Sequence, residues 1–589
     1  MNSERLGSII LRSLIILAVF FVLIPYVGDN DFWLHLRVGE MMAEDGVFPR
    51  SDVISYTTAG KEWINHEWLS QIMIYSVFKF SGFAGVGLIV ALSGAVIYFL
   101  LFRRKNILMP DILVLAATAY ALKPFFVPRP QIFAYIAFLS FILAIDWFYR
   151  TNSKRILYIL PGILFVWANI HASVILALPV IFAYLIFEFG PLAKFNKKRL
   201  AEEARKNLLR ATLLGLGLTL ANPFFYKIYW QALQPLRFSG TFNALIETQS
   251  ILKISQSRLL LPVHLGLIFI LAWRLFRKKF TPRYYEAVTL PLFLFMPFMA
   301  IKYLPFSWMA VLPVIVRIMP KYKNWVLEWL AIAAFLIYSA AQLFNGGTIF
   351  KNAHEEWPKE LAGFMAKNQI TANIYNPYSW GGYISWEDRI PVFINVALDN
   401  MGGEVFRDAI DFDKGERTDD IIKKYNLKVV VAQPWTVSPY ILSLKDGWAL
   451  VYWDNYGVIF VKEDAGYNDV INKNRLDIKY FNDSVESVLR KYKTAELPTL
   501  VRNYQEAIKR HPDLLLARFR LGLIYQYLDQ CPKAIEQYNA LADINYKLGS
   551  VHFRLAECYK KLGDLRSAGK EKDLADKFRG KETWWKSRR

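Results

Sequence analysis

The sequence predicts a polytopic α-helical membrane protein of about eleven transmembrane helices, followed by a small α/β domain and an all-α repeat domain. Three observations predict it. Apolar runs fill the chain up to about residue 345 and then stop, basic loops alternate between those runs, and an internal repeat appears near the C terminus. The chain has 589 residues, of which 54% are hydrophobic, 16% aromatic and 21% charged, and its mean hydropathy is +0.22. These values exclude a disordered chain and argue against a wholly soluble enzyme.

The apolar runs lie near 8–27, 83–102, 110–127, 131–149, 156–170, 172–189, 208–222, 259–276, 285–301, 303–318 and 325–343. Several approach the ~20 residues that cross a bilayer as a helix. Residues 156–189 also read as one pair around a tight turn. The first run lacks a small-residue cleavage site and ends at Pro25-Tyr26, so it reads as a retained anchor.

Lys and Arg number 71 against 50 Asp and Glu, a formal charge of +21. Nucleic-acid binding is one source of such an excess, and basic cytoplasmic loops are another. Position decides. Arg103, Arg104 and Lys105, then Arg150, Lys154 and Arg155, then Lys194, Lys197, Lys198, Arg199, Arg205 and Lys206 occupy alternate loops. Arg274, Arg277, Lys278, Lys279 and Arg283, and then Arg317, Lys321 and Lys323, continue the pattern. The positive-inside rule places these loops and the N terminus in the cytoplasm, and no nucleic acid is needed. An odd number of spans puts everything after 345 outside, in the periplasm if the membrane is a bacterial inner membrane. Two long outer loops remain in 1–345, at 28–82 and 223–258.

Residues 346–465 read as an extracytoplasmic α/β domain. Helices are expected at 355–368 and 417–426, and strands at Asn373–Tyr375, Pro391–Val396 and Leu427–Ala432, with two more in 448–462 around an Asp454-Asn455 turn. Trp380-Gly381-Gly382-Tyr383 lacks the spacing of a phosphate loop and reads as a tight turn. A polar linker with some helix fills 466–497.

In 498–580, Leu521, Gly522, Tyr525 and Ala534 recur 34 residues later as Leu555, Ala556, Tyr559 and Ala568. Small residues let paired helices approach, and Tyr and Leu fill the seam. The period resembles that of tetratricopeptide repeats, about two and a half of them, and protein partners are one use of such a surface. A basic tail, 581–589, follows. The only cysteines, Cys531 and Cys558, exclude a disulfide scaffold and a multi-cysteine metal site. In the repeat alignment they become neighbours, which leaves two readings: a bridge in an oxidising compartment, or two small buried side chains in helix seams.

The outer loops carry the chemistry. Asp29 and Asp31 open the first, in Gly28-Asp-Asn-Asp-Phe-Trp-Leu-His35-Leu-Arg37, and Asn65-His66-Glu67-Trp68 closes it. So aromatic a loop is expected to lie on the membrane surface as amphipathic segments. Lys123 and Arg129 flank a Pro-rich turn, Asn169 and His171 end one span, Asn222 ends another, His264 lies one turn into the next, and Lys302 sits between two more. Singly, each reads as an interfacial side chain or helix cap. Gathered on one face with carboxylates, they point to a site.

An acidic pair just after the first span, on a long first outer loop, resembles the GT-C superfamily of membrane glycosyltransferases, which use polyprenyl-phosphate-linked sugars. Asp29-x-Asp31-Phe-Trp-Leu-His35-Leu-x-x-Gly39, His66-Glu67-Trp68-Leu69, Arg129-Pro-Gln131 and Trp167-Ala-Asn169-Ile-His171 resemble a bacterial group within it that also carries an outer α/β domain with a Trp-Gly-Gly-Tyr segment. The resemblance covers about 1–465. It implies transfer of a sugar from a polyprenyl-phosphate donor to an outer-face acceptor, with inversion. Asp31 or Asp29 would be the base and Glu67 its reserve. His35, His66, Lys123, Arg129, Asn169, His171 and Lys302 would bind substrate, with Arg129, His171 and Lys302 toward the phosphate.

Asp29, Asp31, His35, His66 and Glu67 allow a divalent metal without matching a metal motif. The sugar, the lipid chain and the acceptor, whether protein, lipid or glycan, stay open. So do a polysaccharide polymerase or ligase and a non-enzymatic scaffold that presents the repeats. A transporter would place ionisable groups in mid-span, where the sequence has few.

Overall fold

The computed structural model describes all residues except 1–2, 26–28, 103–108, 197–198, 238–245, 255–258, 320–323, 347–356, 480–490, 492–493 and 581–589. The basic stretches at Arg103–Lys105, Lys197, Lys198, Lys321 and Lys323, and the tail, lie outside the described residues. The chain divides into two compact units. The first comprises Met1–Asp52, Gly60–Ala353 and Ala397–Gly403, and the second Val53–Ala59, His354–Val396 and Glu404–Arg589.

The first unit is helical. A helix stands at each apolar run: Ser3–Val22, Trp68–Phe102, Met109–Leu122, Gln131–Thr151, Ile156–Ile170, Ala177–Glu188, Glu202–Thr219, Leu260–Phe276, Tyr284–Met299, Leu304–Ile318 and Trp325–Gly346. Among the described residues three stretches are long and apolar enough to cross a bilayer: Trp68–Leu101, Gln131–Thr151 and Ile301–Ile318. The first of these breaks at Gly82 (φ +59°), so the predicted span 83–102 is preceded by a separate helical stretch, 68–81.

The helices separate two kinds of polar cluster. Arg129 precedes Gln131–Thr151 and Asp146 lies near its far end, about 22 Å away at 1.5 Å per residue. Asp146 there binds Arg150 at 2.8 Å, Arg283, and Arg317 at 3.4 Å, while Arg317 reaches Glu286 at 2.7 Å. The near end instead gathers the conspicuous residues of the outer loops.

The loop that follows the first helix differs from the expectation of surface segments. Asn30–Ala43 is a helix whose Phe32, Trp33, Leu34, Leu36 and Val38 are buried in the unit. Phe32 and Trp33 find aromatic cover in Phe78 and Phe83 rather than in lipid. Gly39 permits this packing: a Cβ there would lie 2.4 Å from the Gln71 carbonyl oxygen and 2.6 Å from Tyr75 Cβ. Residues 53–59 of the same loop belong to the second unit. Tyr56 N donates to Val392 O at 3.0 Å, and Thr57 Oγ1 donates to Phe393 O at 2.6 Å.

The second unit holds a four-stranded sheet of β1 (Ile374–Tyr375), β2 (Val429–Ala432), β3 (Trp448–Trp453) and β4 (Val458–Lys462), in the order β1-β2-β4-β3. β1 and β2 are parallel, and β4 runs antiparallel to both its neighbours. The strands are buried along nearly their whole length, which explains why their sequences do not alternate. Helices Lys359–Lys367 and Thr418–Lys424 fall where expected. Pro391–Val396 forms no strand; Val392 makes one isolated bridge, to Ser55. Trp380-Gly-Gly-Tyr is not a simple turn but leads into the helix Gly381–Glu387, and a Cβ at Gly381 would collide with Ile394 O at 1.8 Å.

Beyond the short helix Asn468–Asn474, the described residues form the helices Leu497–Arg510, Leu515–Tyr527, Cys531–Ile544, Gly549–Lys561 and Leu565–Phe578. Leu497, Cys531 and Leu565 start alternate helices 34 residues apart, as do Leu515 and Gly549. Gly522 makes room for the buried Tyr538 ring. Cys531 and Cys558 are in hydrogen-bond contact but both are free and buried, so no bridge forms, and burial pushes the Cys558 thiol up to about 12.

Candidate functional site

Asp29 caps the helix Asn30–Ala43: its carboxylate accepts from Asp31 N at 3.0 Å. That fixes both acids at the positive end of a helix dipole. Arg129 is held rigidly between Pro128 and Pro130, with its N–H donated to Val127 O at 2.7 Å. Its guanidinium is the centre of the site. Nε and Nη2 donate to the two oxygens of Asp29 at 2.8 Å each, and Nη1 reaches Asp31 Oδ2 at 2.8 Å and Glu247 Oε2 at 3.2 Å. A cation at the start of the helix Gln131–Thr151 opposes that helix's dipole, and the three carboxylates offset it.

The carboxylates are unequal. Burial drives the Asp31 carboxyl well above the usual range; Arg129 opposes this, while Asp29, Glu247 and Glu67 add to it. Asp29 is gripped through both oxygens by Arg129, whereas Asp31 shares a single guanidinium nitrogen with Glu247. Burial also works against the charge on Arg129, but Asp31 and Asp29 hold it firmly protonated.

One turn beyond Asp31, His35 leads to the second half of the site. Gln71 Nε2 donates to His35 Nδ1 at 3.4 Å, and Gln71 Oε1 accepts from Asn65 at 2.8 Å. Glu67 lies among three imidazoles: His171 Nε2 at 3.3 Å, His66 Nε2 at 3.8 Å and His35 Nδ1 at 3.9 Å. Burial works against the Glu67 charge, but the hydrogen bond from His171 and the rings of His66 and His35 outweigh it, holding its carboxyl below the ordinary range. Burial depresses His35 and His171, with Glu67 opposing. The charged form is therefore favoured at Glu67 and the neutral form at His35 and His171.

His66, Glu67 and His171 are close enough to share a metal ion. Their hydrogen bonds disfavour it. Ser173 N donates to His171 Nδ1 at 2.9 Å, so the proton sits on Nε2, the atom that faces Glu67. An N–H donor offers no lone pair to a metal, and His66 and Glu67 alone make an incomplete set. His66 is oriented by Nδ1–H donation to Ile64 O at 3.3 Å.

Of the residues singled out in the sequence, Asp29, Asp31, His35, His66, Glu67, Arg129 and His171 converge. Lys302 lies within electrostatic reach of His171, and its segment is tied to that of Glu247 by Ile301 N donating to Gln249 O at 2.8 Å. Asn169 donates its amide to Phe165 O and Ala221 O, at 3.0 and 3.2 Å, and clasps two helix ends. Arg129 faces three carboxylates. His264 is likewise committed, to Trp308 Nε1 and Leu294 O. Among the described residues, Lys123 makes no side-chain contact with the site. Glu247 was missed, although it is the lone acid in 223–258. In the second unit a separate cavity of about 290 Å³, lined by residues including Lys367, Tyr452, Lys473, Arg510 and His511, holds none of these residues.

No family profile matches the chain, and no curated protein sequence does. Solved structures resemble it at low identity. The apo oligosaccharyltransferase of Archaeoglobus fulgidus is 12% identical over 88% of this chain and 86% of its own, with a TM-score of 0.49. The same organism's enzyme with an inhibitory peptide and a dolichol-phosphate is 13% identical over 90% and 86%, with a TM-score of 0.46. The form tethered to an acceptor peptide is 12% identical over 76% and 74%, with a TM-score of 0.48. Likeness at this level assigns no residue and no reaction.

Proposed function

We propose that this chain is a membrane glycosyltransferase of the GT-C type, with Asp31 as the base that takes the acceptor proton. The acceptor oxygen attacks the anomeric carbon of a polyprenyl-phosphate-linked sugar. The new C–O bond forms as the bond from that carbon to the phosphate oxygen breaks, with inversion, and the acceptor proton passes to Asp31. Lys302, near His171, supplies positive charge toward the departing phosphate. Glu67, held anionic beside His171 and His35, orients the acceptor. In this reading about eleven helices cross the membrane with the N terminus inside, so that the Arg150, Arg283 and Arg317 end is cytoplasmic and the Asp31 end lies outside.

The observation that carries the proposal is the division of labour on Arg129: Asp29 is gripped twice, beside an Asp31 that shares one guanidinium nitrogen and whose carboxyl burial pushes well above the ordinary range. A scaffold presenting the helix pairs has no use for such an arrangement. The test is transfer of radiolabelled sugar from a polyprenyl-phosphate donor by the purified full chain. Asp31→Asn should lower it by about 10²–10⁴-fold while leaving membrane insertion and abundance intact. Transfer at the wild-type rate would remove Asp31 from the mechanism.

A further inference from the structure

We infer that Arg129 is a built-in counter-cation that stands where a divalent metal would otherwise neutralise the carboxylates, so that the site works without one. The inference rests on the reading of this site as the catalytic one. Asp29, Asp31 and Glu247 come from two distant stretches of chain, and all three place an oxygen 2.8–3.2 Å from one guanidinium. Three hard oxygen donors around a common centre is what Mg²⁺ or Mn²⁺ selects. Here that centre is covalently attached to the chain, on a backbone that Pro128 and Pro130 restrict. The guanidinium spends Nε, Nη1 and Nη2 on these acids, so it neither binds a further anion through them nor yields its place to an ion without leaving three carboxylates unpaired. A guanidinium is always charged, unlike a metal that must be acquired, and its flat fork sets the different angles at which Asp29 and Asp31 are held.

The consequence is specific. Removing the side chain leaves two half-buried acids, Asp29 and Asp31, and the exposed Glu247 facing an empty centre, and such a centre takes up a divalent cation. Two measurements on the full chain test this: transfer in the presence of a chelator, and Mn²⁺ binding followed by electron paramagnetic resonance. The wild type should keep its activity within about twofold in EDTA and bind no Mn²⁺ that Asp29→Asn abolishes. Arg129→Ala should lose about 10²–10³-fold of activity in EDTA. It should bind Mn²⁺ saturably, losing that binding when Asp29→Asn is added, and recover part of its activity with Mn²⁺. Arg129→Lys keeps a cation and guards against misfolding; it should bind no Mn²⁺. Loss of wild-type transfer in EDTA, Asp29-dependent Mn²⁺ binding by the wild type, or failure of Arg129→Ala to bind Mn²⁺ would overturn the inference. Absence of any wild-type transfer would instead sink the functional reading, and the Mn²⁺ measurement would still decide the role of Arg129.

Discussion

Asp29 grips Arg129 through both carboxylate oxygens at 2.8 Å, while Asp31, two residues on, shares a single nitrogen of the same guanidinium with Glu247. One cation serving three acids cannot favour ionisation of all of them. The acid with the shared bond, Asp31, yields to burial and to its neighbours, and its carboxyl rises. A helix cap and the proposed base thus lie two residues apart in one turn.

The pH dependence of transfer follows. Asp31 must be deprotonated to act, so kcat should rise with pH through a midpoint above the ordinary aspartate range. Asp29→Asn removes a repelling carboxylate and frees two guanidinium bonds, so Asp31 should ionise more readily and the midpoint should move to lower pH. Rates across pH 4–9, roughly the window in which carboxyls and imidazoles titrate, check this for both proteins. A midpoint that does not move assigns the base elsewhere.

His171 should matter through the proton on Nε2. Ser173 N fixes that tautomer and Glu67 receives the hydrogen bond. His171→Ala should reduce kcat by about 10–100-fold, and His171→Gln, whose amide N–H replaces the donor, should recover much of the loss. Equal damage by both would show that the ring matters for packing alone.

Much of this architecture was legible because it follows from composition and period. The apolar runs, the 34-residue spacing and the two-strand pattern around Asp454-Asn455 each follow from a local rule. Asp29, Asp31, His66, Glu67, Arg129 and His171 all sit at ends of runs on the same predicted face, and the structure brings their side chains together. Partnership across the chain was not legible. Nothing local says that Arg129 meets Glu247, or that residues 53–59 leave their loop for the sheet unit. The contact of Asn169 with the Ala221 carbonyl, 52 residues away, has no local signal either. Pro391–Val396 reads as a strand by composition, yet has only an isolated bridge to Ser55.

Gly39 links packing to chemistry. A methyl group there meets Gln71 O and Tyr75 Cβ, both parts of a long helix with little room to yield. Gly39→Ala should destabilise by about 1–3 kcal/mol. It should also push the helix Asn30–Ala43 away from Gln71, which orients His35. Thermal unfolding and transfer assays on the same preparation should both fall. Unchanged activity at lowered stability would separate the helix position from catalysis.

The second unit should carry its own pH signature, at Asp388. Among the described residues neither of its carboxylate oxygens has a hydrogen-bond partner. Burial, with Glu387 adding repulsion, pushes its pKa from 3.8 up to about 7. Because the folded value is the higher one, the folded state binds the extra proton between those values. Asp388 then costs nothing below about pH 4. Its penalty grows as pH rises toward 7, at about 1.4 kcal/mol per pH unit, and levels off above. Asp413, hydrogen-bonded to Tyr375 and raised by burial to about 6, adds a smaller slope of the same sign. Asp388→Asn keeps the shape and removes the charge. It should match the wild type at pH 4 and be more stable at pH 8 by up to about 4 kcal/mol, seen as a higher Tm. The residual slope left by Asp413 should persist in the variant. A Tm difference that is the same at both pH values would mean that the Asp388 carboxyl titrates at its ordinary value.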